Sequence, residues 1–216
     1  MWANLSDYRV EDQHAAWTKM AFLKDALEQH PNAKWVWWLD FDAVIMNPIL
    51  DLGEYILNPE AMTQKLLKDR LFPLTHLGQE ENEALDLPAD PNPHNINLLI
   101  SHDQNGVNAG SFFLRNSKWA DYFLELWSDP ILMLEKKWWA QEQDALIHIF
   151  RHHRNFIDGH VGIVRQMEFN AYVPDEINRE SLNKGPIAID AEFWNPEAIA
   201  IHFAGCWYPP ISWPQI

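Results

Sequence analysis

Cysteine is nearly absent from this chain. Cys206 is the single one in 216 residues, so no intrachain disulfide can form and the core must hold the fold. Positive charge is scarce as well. Sixteen Lys and Arg stand against 31 Asp and Glu, for a formal net charge of −15. That imbalance argues against a nucleic-acid groove or an anionic membrane surface as partner. No apolar run reaches the length of about 18 residues that a membrane-spanning helix requires. The opening stretch from Met1 to Asp7 has no basic segment followed by an apolar one. As written, the chain reads as soluble.

Aromatic and apolar residues are plentiful. Hydrophobic residues make up 47% of the chain and 12 of them are tryptophans, enough for one sizeable core in a single domain. Tryptophan also offers flat faces on which sugar rings stack. Helical spacing of Ala16, Met20, Leu23 and Leu27 predicts an amphipathic helix over 11–30, ended by Pro31-Asn32. Residues 51–57 suggest a short helix, and 58–70 a helix or loop. Residues 78–95 read as an acidic, proline-rich loop. Strands are expected over 96–101, 111–114, 161–164 and 199–203, with a turn at Gln104-Asn105-Gly106. Ser117 can cap a helix over 118–127 whose apolar side holds Trp119, Tyr122, Phe123, Leu126 and Trp127. Another helix is expected over 140–153. Alternating helices and strands predict an α/β domain with a mixed sheet.

One stretch concentrates the chemistry. Trp35-Val36-Trp37-Trp38-Leu39 reads as a central strand buried on both faces, and it ends in Asp40-Phe41-Asp42. In extended chain, residues two apart point the same way. Two carboxylates on one side of a strand end suit Mn²⁺ or Mg²⁺, and a divalent cation neutralises a leaving diphosphate. An isolated Asp-X-Asp is equally a solvated acidic turn. Farther on, Gly110 allows close backbone approach, and Asn108 and Ser111 offer hydrogen bonds suited to sugar hydroxyls. Glu142 and Asp144 stand at a helix start, where each is equally a simple helix-start charge; only a position inside a cleft would make either one catalytic. His202 ends a strand, as the two aspartates do, and an imidazole nitrogen can join carboxylates around Mn²⁺. His148 and His152 share a helix face but lack the zinc-hydrolase pattern, and read as structural.

Four segments occur in order: Trp35 to Pro48, Asn105 to Ser117 with its Asn-Ala-Gly-Ser core, Glu142-Gln143-Asp144-Ala145-Leu146, and His202-Phe203-Ala204-Gly205-Cys206. Together with Trp17-Thr18-Lys19 they resemble glycosyltransferase family 34, the fungal galactosyl- and mannosyltransferases and the related plant xyloglucan xylosyltransferases. The resemblance spans roughly residues 14–207. It implies a single GT-A-like, Rossmann-like domain over 1–216. It implies that Asp40, Asp42 and His202 hold Mn²⁺, with Mg²⁺ as the alternative. Asn108, Gly110, Ser111 and Asp144 would bind the donor, and Glu142 and Gln143 would lie near the anomeric carbon. The donor would be UDP-galactose, GDP-mannose or UDP-xylose and the acceptor a glycan, with retention of configuration. A full-length relative would sit on the lumenal side of the Golgi membrane.

Two departures from the family pattern are visible. The lysine that follows Gly-Cys in the plant branch is Trp207 here. Only about ten residues precede the helix expected over 11–30 that carries Trp17, so the family's anchor and first strand are expected to be missing. The exposed sheet edge would then favour homo- or hetero-oligomers. Two other readings compete. One is an inactive glycosyltransferase-like or carbohydrate-binding subunit. The other is a haloacid-dehalogenase-type phosphatase, whose nucleophile and acid also sit on a strand-end Asp-X-Asp.

Overall fold

The computed structural model describes residues 5–8, 13–74, 84–103, 106–134, 140–173 and 193–204. The turn residues 104–105, loop residues 78–83 and the Gly205-Cys206-Trp207 tail of the last motif lie outside these. The first described segment, Leu5–Tyr8, is a 3-10 turn. Ala15–Trp17 form another, leading into α1 (Thr18–Gln29). β1 (Trp35–Leu39) and β2 (Ala43–Ile45) flank the Asp-X-Asp turn. A π-helical turn over Gly53–Leu57 precedes α2 (Pro59–Lys65), capped by the Asn58 side chain. Then come β3 (Arg70–Pro73), β4 (Ala84–Leu87), β5 (Leu98–Asp103) and β6 (Gly106–Arg115). α3 (Lys118–Trp127), α4 (Pro130–Met133), α5 (Glu142–His152) and α6 (Arg154–Ile157) follow. β7 (Val161–Val164), β8 (Ala171–Tyr172) and β9 (Ala200–His202) complete the described chain.

The main sheet has the order β1-β6-β5-β7. β5 and β7 are parallel, and the other pairs antiparallel, so the sheet is mixed as expected. A second sheet, β2-β9-β8, has β9 antiparallel to β2 and parallel to β8. Side chains alternate across the main sheet, as the strand period of two requires. Leu98, Ile100, Phe112 and Leu114 join one core with Leu23, Phe123, Trp127 and Phe150 of α1, α3 and α5. Leu99 and Phe113 join the other, with Ile56, Met62, Phe169 and Ile199.

Several elements differ from the sequence expectation. β1 is an edge strand among the described residues, and all five of its side chains are partly exposed. Its aromatic run resembles a central strand because large rings cover both faces. One of them, Trp37, stacks on Phe113 at 5.0 Å between centroids. Residues 84–87, expected as loop, pair with β3; alternation of buried Leu85 and Leu87 with exposed Asp86 supplies the period. β6 begins at Gly106 rather than at Ser111, so Asn108, Ala109 and Gly110 belong to a buried strand and not to a turn. In α3, Tyr122 is 62% exposed while Ala120 and Leu124 are buried, a rotation of the apolar face toward the sheet.

Candidate metal and donor site

The turn after β1 is built by backbone bonds. The Asp40 N–H donates to the Gly110 carbonyl at 2.8 Å, and the Ala43 N–H donates to the Asp40 carbonyl at 3.0 Å. Phe41 is turned outward, 82% exposed, while the Asp42 side chain is only 11% exposed. β2 leaves this turn and pairs with β9 so that Ala43 faces His202. The Phe203 N–H then donates to the Asp42 carbonyl at 2.9 Å. Two strands far apart in sequence are thus zipped together beside the carboxylates. One ligand atom from each of Asp40, Asp42 and His202 falls within 4.8 Å of the others.

A local irregularity makes room for the imidazole. In the β5–β6 ladder Ile100 pairs with Phe112, but Ser101 pairs with Asn108. Residues 109–111 therefore bulge out of that ladder, as strands do where they re-aim groups next to sites. The bulge presents Gly110 to His202. A Cβ on Gly110 would meet His202 Cε1 at 2.1 Å, closer than any side chain tolerates. The glycine is there to let the ring in.

Beneath the turn lies a buried cation. Lys19, 2% exposed, donates to the Ala109 carbonyl at 2.7 Å and to Glu142 Oε1 at 2.9 Å. It also lies 3.2 Å from Asp40 Oδ1. Burial pulls its pKa down, but the Asp40 and Glu142 charges outweigh that and hold it above the usual lysine value. Asp40 Oδ1 receives a further bond from Trp38 Nε1 at 2.6 Å. The sequence held a signal for Lys19. It is four residues before Leu23 and so lies on the apolar stripe of α1, where a lysine needs buried partners.

α5 reaches the same point. Gln141 adopts φ 52°, a left-handed conformation uncommon for a residue with a Cβ, and it turns the chain into the helix. Gln143 Oε1 accepts from the Ala109 N–H at 2.9 Å. The Ala109 peptide is thereby clamped at both ends, by Lys19 and by Gln143. Asp144 instead closes the helix start, accepting from the Ala140 N–H at 2.8 Å. Asn108 is nearly buried, with its amide donating to Asp103 Oδ2 at 2.6 Å and its oxygen accepting from the Gly110 N–H at 2.8 Å. Ser111 is fully buried. It donates to the Phe169 carbonyl at 2.8 Å and accepts from Trp37 Nε1 at 3.1 Å, a strut between the sheet and the second layer.

Asn170 was invisible in the sequence, where nothing marks Phe169-Asn170-Ala171 as special. It is fully buried, and its side-chain oxygen lies 2.8 Å from His202 Nδ1. At the N-terminal ends of β5 and β7, away from this cluster, a cavity of about 540 Å³ is lined by Asp69, Asp86, Asp90 and Asp158 among others. It includes none of the cluster residues.

The donor set fits a hard divalent cation: two carboxylates and an imidazole at one strand edge. Gly110, the position where a Cβ would fill the space of the His202 ring, is consistent with a site shaped around that ring.

Comparison with known proteins agrees with this geometry. The sequence profile of the galactosyl transferase GMA12/MNN10 family matches residues 1–210. An uncharacterised α-1,2-galactosyltransferase of Schizosaccharomyces pombe is 34% identical over 205 residues, covering 94% of this chain and 50% of that protein. An α-1,2-galactosyltransferase of the same yeast is 30% identical, with 93% and 49% covered. The Saccharomyces cerevisiae protein named "Probable alpha-1,6-mannosyltransferase MNN10" is 30% identical, with 93% and 48% covered. The chain thus spans about half the length of these relatives. A crystal structure of a glycosyltransferase involved in glycosylation of the major capsid of PBCV-1 superposes with a TM-score of 0.54 at 16% identity, covering 91% of this chain and 73% of that one. The fold is therefore GT-A-like, and the phosphatase reading falls away. By its sequence, the chain belongs to the galactosyl transferase GMA12/MNN10 family, glycosyltransferase family 34.

Proposed function

We propose that this chain carries the core of a metal-dependent, retaining glycosyltransferase that moves a hexose, galactose or mannose, from a nucleotide sugar to a glycan acceptor. The observation that carries this reading is the convergence of Asp40, Asp42 and His202 in a chain of this family. The choice of hexose follows the names of the relatives, with UDP-galactose and GDP-mannose as the donors. A lumenal Golgi location for the full-length protein goes with this reading. No helix among the described residues is long and apolar enough to cross a membrane.

Asp40, Asp42 and His202 would hold Mn²⁺ or Mg²⁺. When bound, the cation supplies Lewis-acid neutralisation of the donor diphosphate. The acceptor hydroxyl attacks the anomeric carbon on the face from which the diphosphate departs. The bond to the diphosphate oxygen breaks, the glycosidic bond forms, and the hydroxyl proton passes to the departing diphosphate. Glu142, paired with Lys19, would stabilise positive charge developing on the sugar ring. Gln143, with its oxygen anchored to Ala109, would orient the sugar at the start of α5. Asn108 and Ser111, buried and bonded within the protein, would support the pocket wall there from behind.

The test is Mn²⁺-dependent hydrolysis or transfer with UDP-galactose and GDP-mannose, together with thermal shift. Saturation at about 100 times Kd adds about 2.7 kcal/mol of stability. Asp42→Ala is expected to abolish turnover and the Mn²⁺ shift while leaving the circular dichroism spectrum unchanged. Equal activity in Asp42→Ala would end the metal-dependent reading.

A further inference from the structure

We propose that Asn170, held by Ser101, is a positioning residue that sets the proton on His202 and so makes Nε2 the atom offered to the cation. This inference rests on the metal reading above. Asn170 Nδ2 donates to Ser101 Oγ at 2.9 Å, an arrangement that turns the amide oxygen toward His202. That oxygen lies 2.8 Å from His202 Nδ1. An amide oxygen can only accept, so Nδ1 carries the hydrogen and donates it. The other ring nitrogen, Nε2, stands 3.3 Å from Asp42 Oδ1, on the carboxylate side of the ring.

Nε2 and Asp42 Oδ1 face each other at that distance, so a cation bound between them would take a ligand atom from each. Burial makes the arrangement durable. Asn170 and Ser101 are both 0% exposed and His202 is 5% exposed, so water does not compete for Nδ1. The parallel pairing of Tyr172 with His202 and of Ala171 with Ile201 ties the Asn170 backbone to the strand that bears the histidine. Metal-binding imidazoles commonly donate their second nitrogen to such an outer partner, and loss of the partner typically costs about 10- to 100-fold in metal affinity.

Two measurements test the proposal. The first is ¹⁵N NMR of histidine-labelled, metal-free wild-type protein at mildly alkaline pH, where imidazole is neutral. His202, assigned by loss of its signals in His202→Ala, is expected to show a protonated Nδ1 and an unprotonated Nε2. The opposite tautomer overturns the proposal. The second is Mn²⁺ binding followed by electron paramagnetic resonance without donor. Asn170→Leu is expected to weaken Mn²⁺ about 10- to 100-fold, whereas Asn170→Asp, which keeps an acceptor, holds affinity close to wild type. Should Asn170→Leu fail to fold by circular dichroism, Ser101→Ala, which only frees the amide to rotate, replaces it and is expected to weaken Mn²⁺ in the same direction. Unchanged affinity in a folded Asn170→Leu or Ser101→Ala also overturns the proposal. Wild type that binds no Mn²⁺ while showing the expected tautomer would sink the metal reading and leave Asn170 as the group that sets the proton.

Discussion

Replacing Lys19 by Met would leave Glu142, which is 6% exposed, without its buried counter-charge. Breaking a buried pair from one side costs about 3–5 kcal/mol. Lys19→Met is therefore expected to lower the urea midpoint sharply. Lys19→Met/Glu142→Gln, which removes both buried charges, should recover much of the loss, because Asp40 keeps 31% side-chain exposure and can stay hydrated. A double variant no more stable than the single one would show that the pairing is not the source of the cost. Gly110→Ala acts differently. The new methyl occupies the place of the His202 ring, and overpacking of this kind costs about 1–3 kcal/mol. Because the ring is what must move, the Mn²⁺ thermal shift should vanish even where the variant remains folded. A normal shift in Gly110→Ala would mean that the ring and bulge relax together without harm to the cluster.

Helix α3 shows how much one cap can connect. Ser117 Oγ accepts from the Ala120 N–H at 3.2 Å and donates to Asn97 Oδ1 at 2.7 Å. Asn97 in turn bonds the Asn95 carbonyl through Nδ2 at 2.8 Å. Ser117→Ala removes the cap and leaves the Asn97 oxygen short of a donor, so a loss of about 1–2 kcal/mol is expected in chemical denaturation. This cap was legible in the sequence because it depends on neighbours within a few residues. The extent of β6 was not. Residues 106–110 read as turn and loop, since Asn108 and Gly110 have low strand propensity. Pairing with β1 and the bulge opposite Ser101 override that preference. The position of β1 at a sheet edge was likewise out of reach, because an aromatic run specifies burial of its faces but not how many neighbours it has.

For the molecule as a whole, stability should fall in mild acid partly through α5. His148 is held below the ordinary imidazole value of 6.5 by burial first, and then by the charges of His152, His153 and Arg151. The unfolded chain therefore takes up this proton more readily than the folded one. Stability rises with pH across the window between the lowered folded value and 6.5, and it is lost as pH falls through that window. His148→Gln should flatten the dependence of the denaturation midpoint on pH below about 6.5. An unchanged slope would assign the acid sensitivity to other groups.

The apolar strand that ends in Asp40 and Asp42, the helix caps, the alternating elements and the ordered motifs of the family all lie in short stretches of chain. Their physics is local: period, capping, and the abrupt change from apolar to charged. The sequence alone was sufficient for the α/β class and the candidate metal ligands. Contacts between distant segments were decided only on folding. β2 had to pair with β9 to bring His202 to Asp42. β6 had to bulge for Gly110 to admit the ring, and α1 had to pack under the turn for Lys19 to reach Asp40, Ala109 and Glu142 together. Asn170 bears on the cluster through a histidine that lies in a different strand. No periodicity carries such information, because it arises from the shape of the packed core.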